Sequence, residues 1–441
     1  MDERTIFAPM TAAGRGAVTA LRVSGPATAA AITALSGSLP RPRAASLRRL
    51  RDGAGEVLDE ALVLWFPAPR SYTGEDAAEL HLHGGRAVLE GVSEALLALG
   101  LRFAEAGEFS RRAFLNGRMD LLQAEAIGDL VLAETAGQRR QALRQMEGAL
   151  GRLYEAWSDR LAGVLAHQEA LIDFPDEDLP AEVELALTRT IGDLSGEIAS
   201  HLADGKRGEK MREGLVFVIQ GAPNAGKSTL LNALAGREVA IVSPQPGTTR
   251  DALEVQMVLG DAPVTLIDTA GLRETADPVE AEGVRRARAR AAQADLVLVV
   301  RSPDAPDEGA DTVTPITGPG KEKEPPRLVI ATKADLGAAP DGADLAVSAH
   351  TGIGIAELVQ RLGAIAREAT AQAGPPALTR QRHRALLGEA QEHLTEAVAM
   401  DEPELRAEEL RLALCALGGI TGTIGVEALL DRIFGDFCIG K

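Results

Sequence analysis

The sequence predicts a multidomain chain of mixed α/β and all-α class, in which a doubly wound α/β domain is inserted into a helical one. Three observations predict this. The 441 residues exceed what one hydrophobic core usually serves. Apolar strand-like runs alternate with helical stretches in two places, 1–117 and 213–373. The segments 118–212 and 374–441 instead carry apolar residues at three- and four-residue spacing among Ala, Glu, Gln and Arg, the pattern of a helical bundle.

In 1–117, GAVTALRVSG (16–25) and EALVLWFPAP (60–69) read as strands. AELHLHGG (78–85) alternates with period two and breaks at a glycine pair, and the helical RAVLEGVSEALLALG ends at Gly100. The first helical segment is interrupted near IDFPDEDLP, where two prolines and four acids mark a turn. At GLVFVIQ a buried parallel strand opens the inserted domain, and VTLIDTAG, DLVLVV, RLVIATKAD and AVSA continue it. One stretch does not fit: Ser302 to Pro326 lies where a crossover helix belongs but holds six prolines and three glycines, so it is expected to be mostly loop.

Lys plus Arg is 46 and Asp plus Glu is 64, so 46 − 64 leaves −18. That field opposes a protein that coats nucleic acid, though not local RNA contact. Aromatics at 3% supply little for a base-stacking platform. Two cysteines, Cys415 and Cys438, cannot build a disulfide framework. A charged N-terminus and no apolar run approaching ~18 residues lead us to expect a cytoplasmic protein.

The chemistry begins at GAPNAGKST (221–229), a strand-to-helix turn with the pattern G-x-x-x-x-G-K-S. Backbone amides through Asn224, Ala225 and Gly226, and those of the helix start to Thr229, would cradle phosphates. Lys227 would place its charge at the β/γ-phosphates, and the Ser228 hydroxyl would ligate Mg²⁺. TKAD (332–335) would choose the base: Asp335 accepts two hydrogen bonds that guanine offers and adenine does not, with the Lys333 stem along the base. Thr332 stands where such motifs typically have Asn. Backbone amides at Ser348 and Ala349 would complete base recognition.

Hydrolysis needs a metal, charge on the transition state and a positioned water. DTAG (268–271) places Asp268 behind the Mg²⁺, with Thr269, Ala270 and the Gly271 amide leading to the γ-phosphate. PGTTRD (246–251) reads as the first switch, with Thr249 as the second Mg²⁺ ligand. Leu272 stands where Ras-like enzymes place the water-orienting Gln, and no arginine is obviously a finger, although Arg250 and Arg273 are near. Glu280 could orient the water, or be an ordinary acid at a helix start. Asn224 could ligate a monovalent cation at the phosphates, or simply face solvent. Glu280 and Lys227 are the catalytic candidates.

The order GAPNAGKS, GTTRD, DTAGLRETADPVE and TKAD resembles the tRNA-modification GTPase family called MnmE or TrmE. So does the frame: APMTAAGRGAVTALRVSG, SYTGEDAAELHLHGG, GEFSRRAFLNGRMDLLQAEAIGDL, IDFPDEDLP and the ending DRIFGDFCIGK. The resemblance implies a homodimer made through the N-terminal domain, which binds a tetrahydrofolate one-carbon donor (the 5,10-methylene or 5-formyl form). It implies K⁺-dependent pairing of the GTPase domains. It also implies a heterotetramer with an FAD- and NADH-using partner, MnmG or GidA, that adds a carboxymethylaminomethyl or aminomethyl group to C5 of the wobble uridine of certain tRNAs.

By position, the resemblance makes Asn224, Ser243, Gln245 and Thr248 the K⁺ ligands and potassium loop, Ser228 and Thr249 the Mg²⁺ ligands, and Glu280 the water-orienting acid. It makes Arg22, Glu79, Arg118 and Lys441 folate contacts; cations would hold the glutamate tail and the carboxylate would accept from the pterin. The family often has Lys where this chain has Arg118. Without the family, Arg22, Glu79 and Arg118 read as surface ion-pair residues. Cys438 would lie near the folate, with a direct covalent part in the chemistry left open; Gly440 and Lys441 do not suit prenylation. Cys415 reads as a packed helix residue. His81 and His83 share a strand face and read as structural for want of a third ligand. Arg41, Arg43, Arg48, Arg49 and Arg51 read as a solvated face rather than an RNA contact. The rival functions are a ribosome-assembly or RNA-binding GTPase switch, and a degenerate GTPase scaffold.

Overall fold

The computed structural model describes residues 4–12, 14, 16–173, 181–204, 206–236, 254–268, 289–304, 324–371, 376–423, 430, 433–435, 437 and 440. The chain divides into two compact units: 1–128 with 145–194 and 392–441, and 129–144 with 195–391. The helical segments are thus shared between the units.

The first unit is built on a six-stranded sheet: β1 (Ile6–Pro9), β2 (Val18–Ser24), β3 (Ser46–Arg51), β4 (Val57–Phe66), β5 (Ala77–His83) and β6 (Arg102–Phe103). Its order is β3-β4-β5-β2-β1-β6, antiparallel except for the β1–β6 pair. Period-two sequence explains its two faces. Leu21, Val23, Ala61, Val63, Trp65, Ala78, Leu80 and Leu82 point one way and are buried with Ile32 and Leu35 of α1 (Thr28–Ser36) and Val92 and Leu96 of α2 (Arg86–Ala98). Full burial of one such side chain is worth about 1.5–3 kcal/mol. The alternate residues point the other way, and Val18, Leu47 and Leu62 remain exposed there.

The loop 71–76 is tied down by α3 (Glu108–Leu115). Arg112, 5% exposed, donates to both Glu75 oxygens at 3.2 Å and to Glu108 at 2.9 Å. Ser24 Oγ lies 2.6 Å from Thr73 Oγ1, and Asn116 donates to the Thr73 carbonyl at 2.7 Å. Burial alone would push the Glu108 carboxyl up. Hydrogen bonds from Arg102, the Glu105 amide and Arg112 outweigh it and hold the carboxyl below its usual range. The same unit contains α4 (Leu121–Leu132) up to residue 128, α6 (Ala149–Asp173) and α12 (Pro403–Thr421), the last two packed together. Phe434 packs on Leu121 and Ala124 and lies near the rings of Phe114 and Phe437, which seats residues 433–435 and 437.

The second unit contains the parallel sheet: β7 (Leu215–Gly221), β8 (Glu254–Leu259), β9 (Ala262–Asp268), β10 (Leu296–Arg301), β11 (Arg327–Ala331) and β12 (Leu345–Ala346), in the order β12-β11-β10-β7-β9-β8. Only the β8–β9 pair is antiparallel. Its strands are continuous apolar runs because both faces are covered. One face packs on α9 (Lys227–Ala235) and α10 (Ile355–Thr370); the other buries Val218, Ile267, Ala291, Ala294, Val297 and Val299. Neighbours diverge from β7 to either side, so the strand-order switch falls at the phosphate loop, where open α/β sheets bind ligands.

This unit also holds α5 (Ala136–Met146) up to residue 144, α7 (Ala181–Leu202) from residue 195, α8 (Arg207–Glu213) and the start of α11 (Gln381–Ala399). Arg384 ties three of these stretches, donating to Asp204 at 2.8 Å, Glu209 at 2.9 Å and the Leu202 carbonyl at 2.6 Å. Among the described residues, no helix is long and apolar enough to cross a membrane. The expected loop at 302–326 falls mostly outside the described residues.

Candidate nucleotide and folate sites

The phosphate loop runs from the end of β7 to the start of α9. Gly221 sits at φ +153°, and a Cβ there would lie 2.3 Å from the Val300 carbonyl oxygen, so the loop needs glycine to leave the sheet. Asn224 adopts a left-handed φ of 64°, which Asn tolerates better than most residues, and its side chain is exposed. Gly226, with φ 88°, sits just before α9 and leaves that helix N-terminus facing the loop.

Lys227, 6% exposed, donates from Nζ to the carbonyls of Gly221 at 2.9 Å and Ala222 at 2.7 Å. Its ammonium is thereby held over the loop rather than in solvent. The Ser228 hydroxyl donates to Asp268 Oδ2 at 2.6 Å, joining the helix start to the end of β9. A hydroxyl beside a carboxylate that is 2% exposed is an all-oxygen donor set of the kind that suits Mg²⁺.

Base-recognition candidates gather at the ends of β11 and β12. The Thr332 hydroxyl donates to the Ala225 carbonyl at 2.5 Å and lies 3.0 Å from the Arg301 carbonyl. The residue that departs from the usual Asn therefore clamps the base loop to the phosphate loop. Lys333 has φ 55° and binds both oxygens of Asp304, at 2.8 and 2.7 Å. Hydrogen bonds from Lys333 and Ser302 hold the Asp304 carboxyl below its ordinary range. Asp335 is likewise lowered, first by a hydrogen bond from Ser348 and also by the charge of His350. Ser348 is fully buried, and its amide donates to the Ile353 carbonyl at 2.9 Å. Ala349 follows it at the same edge.

Residues 224–229, Asp268, Thr332, Lys333, Asp335, Ser348 and Ala349 thus lie at the carboxyl ends of β7, β9, β11 and β12. Ser243, Gln245, Thr248, Thr249, Thr269, Ala270, Gly271 and Glu280 lie outside the described residues. Asp304 is the participant that sequence reading missed; it opens the stretch dismissed as loop, and only its contact with Lys333 marks it.

In the first unit, Arg22 and Glu79 face each other across β2 and β5. Arg22 donates to Glu79 Oε1 from Nη2 at 3.0 Å and from Nε at 3.3 Å. Its guanidinium also lies 4.5 Å from the Tyr72 ring centroid and 5.7 Å from that of Phe109. Burial pushes the Tyr72 phenol up, against the hydrogen bond with Ser110 and the Arg22 charge. Tyr72 and Phe109 lie inside the motifs SYTGEDAAELHLHGG and GEFSRRAFLNGRMDLLQAEAIGDL, but sequence reading gave neither a role. Arg118 is exposed and lies against Gly74 in the tied-down loop. Cys438 and Lys441 lie outside the described residues, but Gly440, at φ +97°, is seated so that a Cβ would come 2.4 Å from the Pro9 carbonyl oxygen at the end of β1. Gly440 therefore lies beside the strand next to Arg22.

The histidines behave as structural groups. His83 Nδ1 is 2.7 Å from Asp59 Oδ1, and His81 Nε2 is 3.8 Å from Glu79. Burial pushes the Asp59 carboxyl up, but hydrogen bonds from the His83 amide and ring prevail and lower it. Of the arginine run, Arg49 pairs with Glu60 at 3.7 Å on the edge strand β3. One expectation is corrected: Cys415 is exposed, not packed. It falls between Ala413 and Ala416–Leu417, which form the buried stripe of α12.

The family described as "GTP-binding protein TrmE N-terminus" matches residues 5–118, and "MnmE helical domain" matches 121–438. A tRNA modification GTPase MnmE from Granulibacter bethesdensis is 55% identical over 443 residues, covering 100% of both chains. The Acidiphilium cryptum protein of that name is 54% identical, covering 99% of this chain and 98% of its own. Among solved structures, the G domain of the T. maritima FeoB iron transporter covers 34% of this chain and 98% of its own at 24% identity, with a TM-score of 0.25. That of Methanococcus jannaschii FeoB covers 35% and 98% at 22% identity, with a TM-score of 0.23. The doubly wound assignment stands on the strand order itself. Identity of this size runs the whole length of full-length relatives and is not confined to a phosphate loop, so the chain belongs to the MnmE (TrmE) family of tRNA modification GTPases.

Proposed function

We propose that this chain is a K⁺-activated GTPase whose cycle drives addition of an aminomethyl-type group to C5 of the wobble uridine of certain tRNAs. It would use a tetrahydrofolate one-carbon unit and act with the FAD-dependent partner MnmG. The observation that carries the reading is the clamp of the phosphate loop by Lys227, Ser228–Asp268 and Thr332. It ties the residues proposed for phosphate, metal and base to one edge of the parallel sheet, which supports the reading.

Bound Mg²⁺ supplies charge at the β/γ-phosphate oxygens; Ser228 and Thr249 are its proposed protein ligands, with Asp268 orienting Ser228. Asn224, with Ser243, Gln245 and Thr248, is proposed to hold K⁺ where other GTPases use an arginine. The left-handed turn at Asn224 suits an amide that must reach across the loop. Glu280 is proposed to orient the attacking water. Folate binding is assigned to Arg22, Glu79, Arg118 and Lys441, with Cys438 beside them. The Arg22–Glu79 pair offers a cation and a carboxylate on one sheet face, and the tail at Gly440 lies beside the neighbouring strand. The exposed Val18, Leu47 and Leu62 on that face support a homodimer made there. The domains proposed are 1–117, 118–212, 213–373 and 374–441.

The test is GTP turnover in K⁺ and in Na⁺ at equal ionic strength, followed by nucleoside analysis of tRNA from cells lacking the protein. Faster turnover in K⁺ and loss of a wobble-uridine modification are expected. Equal rates in the two salts would remove K⁺ from the reading, and unchanged tRNA would remove the modification.

A further inference from the structure

The two proposed sites leave one cluster of metal-type ligands unexplained. In the first unit, the C-terminal end of α11 returns through Met400–Glu402 into α12 as a helical hairpin. Its turn is fixed by Arg406, which donates to the Met400 carbonyl at 2.7 Å. His393 and Glu396 are three residues apart on α11 and so share a helix face. Glu409, from α12, meets them, with His393 Nδ1 2.7 Å from Glu409 Oε2. One ligand atom from each of the three residues lies within 4.8 Å of the others.

Among the described residues, no lysine or arginine pairs with this cluster. Both arginines of α12 are engaged elsewhere: Arg406 with Met400 and, at 3.7 Å, Glu184; Arg411 with Glu408 and, at 3.3 Å, Glu169. Among the described residues, the Glu396 side chain makes no ion pair or hydrogen bond, and Glu409 pairs only with His393. Two carboxylates therefore converge on one imidazole with no lysine or arginine between them. We propose that His393, Glu396 and Glu409 bind a divalent transition-metal ion of the zinc class.

The donor set fits that class. One imidazole nitrogen with two carboxylates suits Zn²⁺ and its first-row neighbours better than Mg²⁺ or Ca²⁺, which take oxygen alone. Metal–ligand distances of about 2.0–2.2 Å require the three atoms to draw closer than they stand. Glu396 is exposed and can swing in, while His393 and Glu409 are 30% and 18% exposed and already in contact. The open side leaves room for water to complete the coordination shell. Bound metal would cross-link α11 to α12 close to their turn.

The experiment uses the full chain in a Cys415→Ser background, with Mg²⁺ and GDP in excess so that nucleotide-site ligands are occupied. Zn²⁺ is followed by equilibrium dialysis, and Co²⁺ by its visible ligand-field absorption. We expect one site per chain, weakened at least about tenfold in Glu396→Gln and lost in His393→Ala/Glu409→Gln, with Zn²⁺ raising the unfolding temperature only where the site is intact. Zinc bound equally by all three proteins, or by none, would overturn the proposal. Should the double variant fail to fold by circular dichroism, Glu396→Gln decides alone, since its side chain is exposed and otherwise unbonded.

Discussion

The two six-stranded sheets of this protein present functional residues in opposite ways. In the parallel sheet both faces are buried, so chemistry can only sit at the strand ends, at Gly221, Asp268 and Ala331. In the antiparallel sheet one face packs on α1 and α2 and the other is only partly covered, by Tyr72 and Phe109, so a proposed site can sit mid-strand, at Arg22 and Glu79. The first arrangement draws its groups from short contiguous motifs. The second draws them from register, between residues 57 positions apart in the chain.

The comparison predicts two separable activities, and the sharpest way to break it is Lys227→Ala. Losing the ammonium over the phosphate loop should lower GTP turnover by about 10²–10³-fold, measured as phosphate release. Folate titration of the same full-length variant should match wild type; a parallel loss of folate binding would mean that the two sites act as one. Next in size is Asp335→Asn, which removes a charged acceptor for the base. Each such hydrogen bond is worth about 1.5–3 kcal/mol. GDP affinity measured by calorimetry should fall accordingly, with the phosphate contacts intact.

The converse of the first test is Arg22→Ala, expected to weaken tetrahydrofolate binding by about tenfold or more, the value of one charge-assisted contact, while GTP turnover stays unchanged. The smallest effect belongs to the network beneath that site. Glu108 has a carboxyl pKa lowered in the folded state, so its stabilisation is present above the unfolded value of about 4.3 and is lost as pH falls through the folded one. Thermal unfolding of the wild type should therefore lose ground below about pH 4.3, and Glu108→Gln should flatten that part of the profile. An unchanged slope would place the acid sensitivity elsewhere.

What could be read in advance follows the same division. The phosphate loop was legible because strand, glycines, lysine and helix start are adjacent, and local geometry alone lets them bind phosphate. Thr332 read as a departure from the usual Asn, yet its hydroxyl bridges to Ala225; a bond across 107 residues has no local signature. Cys415 was misread because helical spacing gives a stripe but not its phase, and the stripe passes through Ala413 and Leu417. The helical stretches were legible as helices, but not their sharing between two compact units, with Arg384 gathering Asp204 and Glu209 on one side.

Sequence alone determined the family, the doubly wound domain and the residues proposed to meet phosphate, because those depend on spacing within a few turns of chain. Tertiary structure decided that Arg22 would spend its charge on Glu79 beside Tyr72, that Lys333 would be held by Asp304, and that His393 would face two carboxylates. Each of these brings together charges whose separation along the chain is fixed by nothing local. Only the packing of buried apolar faces sets where such groups meet.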